Sequence, residues 1–203
     1  MKQHSETTEA TRLHILAAFW ELCKEMPFEK ISVNAVAKRA NIHRSTFYRY
    51  FTDVQNLLNE FEDELIENIN ADGLSPIPKS LSLSQSSSNE LLENGDEAVF
   101  FLLMKYSEKV YYLTNVRGDS HFKDKLYNWL RVQAEELLPV PQNPLAFDYL
   151  LTLIFTIILT NINYCYEHRE EDNLKELTAL SRAFIVLTIY SSENSIGKLS
   201  QST

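Results

Sequence analysis

Between Pro27 and Thr52 two short stretches of helical periodicity follow one another with only Ala40-Asn41-Ile42 between them, and no glycine relieves the turn. Few folds accommodate that spacing. In the first stretch Ser32 can cap the free amides while Val33, Val36 and Ala37 fall inward. In the second, from about His43 to about Phe51, Phe47 and Phe51 lie four apart and share the inner face. Arg44, Ser45, Tyr48 and Arg49 are left on or beside the outer one. Asn41 is a residue type that tolerates the left-handed backbone required at a tight turn between two helices. Two short helices joined in this way, the second presenting hydroxyls, arginines and tyrosine outward, fit a helix-turn-helix whose second helix enters the major groove of duplex DNA.

The flanking segments complete a small helical unit. A first helix is expected from about Thr8 to Glu25, with Ile15, Ala18, Phe19, Leu22 and Met26 on one face, and Pro27 stops it. Thr52 and Gln55 form a capping-box pair for a fourth helix to about Asn70, whose inner residues are Leu57, Leu58, Phe61 and Leu65.

Charge is distributed unevenly along the chain. Lys30 to Thr52 holds five Lys or Arg and no acidic residue, although the net charge is -9. Residues 1–52 carry eight Lys/Arg against five Asp/Glu, and the remainder eleven against twenty-three. A basic window interleaved with aromatics and hydroxyls suits phosphate contact, and the acidic remainder confines such contact to one end. On charge alone the same window also reads as a solvated helix face.

The segment from Arg12 to Leu58 resembles the DNA-binding domain of the TetR family of bacterial transcription regulators. The resemblance rests on Ile15, on the run Val33 to Ala40, and above all on Thr46-Phe47-Tyr48-Arg49-Tyr50-Phe51. It implies that Arg44, Ser45 and Thr46 face bases, that Lys38, Tyr48, Arg49 and Tyr50 position the helix on phosphate, and that Phe47 and Phe51 are core. Ser32, Asn34 and His43 complete the expected DNA-binding set. Three positions depart from the family pattern. Asn41 stands where the turn usually has Gly, His43 where Ser or Asn often caps the recognition helix, and Val54 where a Lys at the start of the fourth helix commonly holds the DNA backbone.

Only four Gly and six Pro occur in 203 residues, so an all-α architecture is favoured over strands punctuated by turns. The expected organisation is a helix-turn-helix domain over 1–52, a connecting helix over 53–70, a Ser/Pro-rich flexible loop over 71–89, and a helical ligand-binding and dimerisation domain over 90–203. In that last domain helices are expected from about Glu90 to Thr114, with a possible interruption at Asn94-Gly95, then a turn at Asn115 to Gly118. Further helices run from Asp119 to Leu138, from Asn143-Pro144 to about His168, and from Asn173 to about Ser192. Leu150, Leu153, Ile154, Ile157, Ile158 and Ile162 make one broad apolar face, and Leu177, Leu180, Phe184, Leu187 and Ile189 another. Such a pair can build half of a four-helix dimer interface or be buried in the monomer. The resemblance favours the dimer.

The family also implies a small molecule held between C-terminal helices. Phe100, Phe101, Tyr106, Tyr111, Tyr112, Trp129, Phe155 and Tyr164 supply aromatic lining in principle, each equally a packing residue, and no ligand contact is assigned.

Other classes lack support. Cys23, Cys165, His121 and His168 show no metal-ligand spacing, and no Gly-rich phosphate loop or nucleophile elbow is present, so neither an enzyme nor a bound metal or cofactor is expected. The polar N-terminus lacks the apolar core of a signal peptide, which implies a cytoplasmic protein. The run Tyr149 to Ile162 is too short to span a membrane and reads as a buried core helix. The expected function is a ligand-responsive, homodimeric regulator of transcription, repression favoured over activation, reading a roughly palindromic operator through residues 43–51. A helical adaptor or co-regulator acting through a partner protein is the alternative, with Val54 as its best support.

Overall fold

The computed structural model describes residues 2–72, 96–117, 120–137 and 144–169, and beyond them 174, 176, 177, 179–181, 183 and 184. Helices are α1 (Lys2–Glu25), α2 (Val33–Arg39), α3 (Arg44–Phe47), α4 (Val54–Ala71), α5 (Asp96–Tyr111), α6 (Ser120–Leu137) and α7 (Pro144–Glu167), with a 3-10 turn at Phe28–Lys30 and a π-helical turn at Tyr112–Val116. No strand occurs among the described residues, as expected of an all-α chain. The chain divides into two compact units, Met1–Glu67 and Asn68–Thr203.

The first unit is built around aromatic side chains. Ile15, Phe19, Val36, Phe47 and Leu57 are fully buried, and Phe51, Leu58, Phe61 and Leu65 nearly so. Phe61 stacks on Trp20 at 5.7 Å and meets Phe19 edge-on at 5.7 Å, so α4 is locked to α1 by two ring contacts of favourable geometry. Arg12 strengthens the same junction. Its guanidinium reaches Glu9 at 3.0 Å and Glu64 at 2.9 Å, and the hydrogen bond to Glu9, helped by Glu64, holds its pKa above the ordinary value.

Three local boundaries differ from the sequence-based expectation. Helix α1 begins at Lys2 rather than near Thr8. Helix α3 is α-helical only over Arg44–Phe47, and the chain to Phe51 continues as tightened turns. There the Arg49 amide donates to Thr46 at 3.1 Å and the Tyr50 amide to Phe47 at 2.9 Å, the i to i−3 pattern common where a helix ends. At α4 the cap is displaced by one residue. The Asp53 carboxylate accepts from the Asn56 amide at 2.8 Å, and the Asn56 side chain accepts from the Thr52 amide at 3.1 Å. A carboxylate is the stronger acceptor and its charge suits a helix N-terminus, so Asp53 displaces the Thr52 hydroxyl from this role.

In the second unit α5 packs along α7, and α6 covers part of the same surface. Leu130 and Ala134 of α6 meet Phe147, Leu150, Leu151 and Ile154 of α7 in a buried cluster. The π-helical turn occupies Asn115 and Val116, where a simple turn was expected, and is held by Thr114, whose hydroxyl donates to the Val110 carbonyl at 2.7 Å. Asn115 reaches Asn163 of α7 at 2.9 Å. Both cysteines are buried and neither forms a disulfide, and burial pushes the Cys165 thiol up, away from reactive thiolate.

Helix α7 has the expected extent but is more open than the buried core helix read from its apolar run. It extends over 24 residues, and by length and composition alone would suffice to cross a membrane. Phe147, Leu150, Leu151, Ile154, Ile162 and Cys165 point into the core, but Leu145, Tyr149, Leu153 and Tyr164 are exposed. So are Leu180 and Phe184, helical residues of the following segment. Residues 73–95 and 185–203, which hold most of the expected loop and the end of the last expected helix, lie outside the described residues.

Of the aromatics expected as lining, Tyr106, Trp129 and Phe155 border an apolar cavity of the second unit. Tyr111 instead stacks on Tyr166 at 4.2 Å, Tyr164 stacks on His168 at 4.2 Å, and Tyr112 is buried. The side chains of Phe100 and Phe101 lie outside the described set.

Candidate nucleic-acid interface

The turn between α2 and α3 fixes what the second helix presents. Ser32 caps α2, its hydroxyl accepting from the Ala35 amide at 3.2 Å. At the other end Asn41 adopts φ 50, the one non-glycine residue with positive φ among the described residues. Its amide donates to Lys38 at 3.2 Å and the Ile42 amide to Ala37 at 2.9 Å, the paired hydrogen bonds of a Schellman motif. His14 of α1 supports the same corner, its Nε2 lying 3.0 Å from the Ala40 carbonyl. Sequence reasoning missed His14, because a contact between residues 26 apart leaves no local signal.

Phe47 and Phe51 anchor the reading segment from below. Both are buried, with ring centroids 5.7 Å apart, and Phe47 meets the Tyr48 ring edge-on at 5.6 Å. Around that anchor His43, Arg44, Ser45, Tyr48 and Arg49 are exposed, while Thr46 and Tyr50 are half-buried. Ser32, Asn34 and Lys38 are exposed on and before α2. The His43 side chain makes no capping hydrogen bond, so only its carbonyl engages α3, accepting from the Thr46 amide at 2.9 Å.

The cations of the acid-free window are not equivalent. Arg39 is tied to Glu25 at 2.5 Å, and this hydrogen bond holds the Glu25 carboxyl below its usual range. Arg44 lies over the Tyr48 ring and donates from Nη2 to the phenol oxygen at 2.8 Å. Lys30, Lys38 and Arg49 make no ion pair among the described residues and carry uncompensated charge. Val54 opens α4 and adds none. The surface thus combines free cations, hydroxyls and one planar guanidinium on a rigid two-helix support, which is the chemistry needed to hold phosphates and read base edges.

Comparison with known proteins agrees with this geometry. Residues 15–61 match the family model of bacterial regulatory proteins, tetR family. No curated protein matches the chain. Among solved structures, a transcriptional regulator TetR family protein from Vibrio parahaemolyticus is 18% identical with a TM-score of 0.56, over 86% of this chain and 97% of its own. A TetR family transcription regulator from Marinobacter aquaeolei VT8 is 19% identical with a TM-score of 0.58, over 91% of this chain and 98% of its own. At these identities the likeness is one of fold. Because the family match falls on the segment that carries the turn, its anchor and the exposed cations, the N-terminal unit of this chain is a helix-turn-helix domain of the tetR family of bacterial regulatory proteins.

Proposed function

We propose that the protein is a cytoplasmic, homodimeric repressor that places one α3 segment per subunit in successive major grooves of a roughly palindromic operator, and leaves it when a small molecule binds the second unit. The observation that carries the DNA-reading part is the exposed set Arg44, Ser45, Tyr48 and Arg49, held over buried Phe47 and Phe51. Arg44, Ser45 and Thr46 are assigned to bases, and Ser32, Asn34, Lys38, His43, Tyr48, Arg49 and Tyr50 to the backbone. A guanidinium can pair with two acceptors on a guanine edge, whereas lysine and tyrosine serve phosphate oxygens.

The open side of α7 supports dimerisation. Thr152, Thr156 and Thr160 are exposed, yet each hydroxyl donates at 2.8 Å to the carbonyl four residues back. Their polar demand is met inside the helix, so the row presents methyl groups to a neighbour. Together with Leu145, Tyr149 and Leu153 it forms an apolar stripe suited to a second copy of the same helix. This cover, rather than a lipid bilayer, is assigned to α7.

Duplex binding across a salt series tests the central assignment. Operator affinity should fall steeply with salt and fall again when Arg44 and Tyr48 are both replaced by alanine. A flat salt response, or indifference to the double replacement, together with a stable complex with another protein, would instead identify a protein-binding adaptor.

A further inference from the structure

Helices α4 to α7 leave a cavity between them in the second unit. Ile69 of α4, Leu103 and Tyr106 of α5, Trp129 of α6, and Phe155 and Ile158 of α7 contribute to its wall. Among the described residues that line it, none carries a charge and none exposes a polar atom to it. The Tyr106 hydroxyl is spent on Asp72, to which it donates at 2.5 Å, and the Trp129 indole offers the cavity only carbon. A water held there would find none of the two to four polar partners it needs, so the space stays dry. One side is thinly covered: Trp129, Phe155 and Ile158 are only half-buried, whereas Ile69, Leu103 and Tyr106 are buried. On that side an apolar solute meets hydrocarbon all the way from solvent to interior. Filling a dry void restores the dispersion contacts its lining atoms lack and takes apolar solute surface out of water. A hydroxyl or carbonyl brought to the same place gives up its hydrogen bonds to water and gains none, and an ion also finds no countercharge.

We propose that this cavity is a site for a small molecule with no hydrogen-bonding group at all: a short alkane, alkene or halocarbon. The inference rests on the ligand-responsive part of the proposed function and narrows it to a ligand class. The wall selects by exclusion, admitting apolar solutes of fitting size and penalising each polar group they carry. The cavity volume of about 30 Å³ sets the scale of the occupant. A water needs about 10–15 Å³ by the same measure, so one to a few heavy atoms fit as the walls stand, and a larger occupant enters by turning the half-buried side chains aside.

The test uses the full-length chain without DNA and three probes: xenon, cyclopentane and cyclopentanol. Xenon is a single apolar atom, and the two ring compounds differ by one hydroxyl. Methyl NMR on isoleucine-labelled protein follows Ile69, Ile158 and Ile162 in the wall, with buried Ile15 and Ile31 of the first unit as internal controls. Xenon and cyclopentane should each shift the three wall methyls and leave the two controls in place. Titration should show cyclopentane bound at least about tenfold more tightly than cyclopentanol, the penalty for burying one unpaired hydroxyl. Ile158→Trp, which fills the cavity from its half-buried side, should abolish both responses; should that variant fail to fold, the wild-type shifts decide alone. Wall methyls unmoved by xenon, shifts shared equally with the controls, or cyclopentanol bound as tightly as cyclopentane would each overturn the assignment. So would xenon entering while cyclopentane is refused, which reduces the site to a packing void, or undiminished binding by a folded Ile158→Trp protein. Failure of the wider reading looks different: cyclopentane that occupies the cavity and leaves operator affinity unchanged removes the ligand response while sparing the site.

Discussion

Arg44 folds back on Tyr48, its guanidinium 5.3 Å from the ring centroid and its Nη2 2.8 Å from the phenol oxygen. The two residues assigned to different tasks, one to bases and one to phosphate, are therefore partners in the free protein. Separate replacements should part these tasks. Arg44→Ala should cost about 1–3 kcal/mol of discrimination at one base pair and flatten sequence preference there. Tyr48→Phe should weaken all duplexes alike, by about 1.5 kcal/mol or more, as a hydrogen bond to a charged group is lost. Binding titrations against an operator and its single-base variants measure both effects, and a sequence-dependent effect of Tyr48→Phe would contradict the assignment.

Lys38 and Arg49 carry the free charge of the interface. Replacing either by alanine should reduce the slope of log affinity against log salt by about 0.9, the share of one phosphate contact on B-DNA. Arg39→Ala should change that slope less, because Glu25 already neutralises the guanidinium in the free protein. A salt series with fluorescently labelled duplex separates the three.

The corner at Asn41 makes a stability prediction. A β-branched residue at φ 50 places Cβ against the following carbonyl, so Asn41→Val should cost about 1–2 kcal/mol in denaturant unfolding. Asn41→Gly should match or exceed the native stability at the midpoint. Equal destabilisation by both would mean that the Asn side chain, not the backbone conformation, is what the site requires.

Asp53 and Thr52 can be ranked in the same way. Asp53→Ala removes the acceptor of the Asn56 amide and should cost about 0.5–2 kcal/mol, while Thr52→Ala should be close to neutral. The reverse order would restore Thr52 as the cap of α4.

The contact of Asp72 with Lys105 and Tyr106 predicts an acid limb. The hydrogen bond from Lys105, seconded by that from Tyr106, holds the Asp72 carboxyl below its ordinary range. A carboxylate whose pKa is lowered by folding stabilises the protein above its unfolded value, about 3.9, and loses that contribution as pH falls through the folded one. Wild type should therefore melt above Asp72→Asn at neutral pH, and the gap should close below about pH 4. A gap independent of pH would assign it to shape rather than charge.

Much of the first unit was legible in the sequence because its determinants are local. The Phe47 and Phe51 spacing, the Ser32 cap and the left-handed tolerance of Asn41 each act within five residues, and each is found as expected. What escaped is where two local solutions compete or where the partner is distant. Thr52 and Asp53 both satisfy a capping rule, and the choice falls to Asp53, whose charged carboxylate is the better acceptor at a helix N-terminus. Arg39 and Lys38 look alike in the chain, and Glu25 distinguishes them only once α1 and α2 are packed together. In the second unit the apolar run of α7 marked a helix but not its open face, since periodicity does not distinguish a core from an interface between copies.

The boundary between the compact units, Glu67 to Asn68, falls inside α4, a helix that continues to Ala71. No loop there offers a cut that would release the reading unit with both ends intact. Truncation at Glu67 removes the carbonyl partners and side chains of the final turn, and truncation at Ala71 leaves Ile69, a wall residue of the second unit's cavity, bare to solvent. The cut that would isolate the helix-turn-helix therefore falls in a helix rather than in a linker, and a fragment ending at Glu67 should carry a frayed last turn of α4.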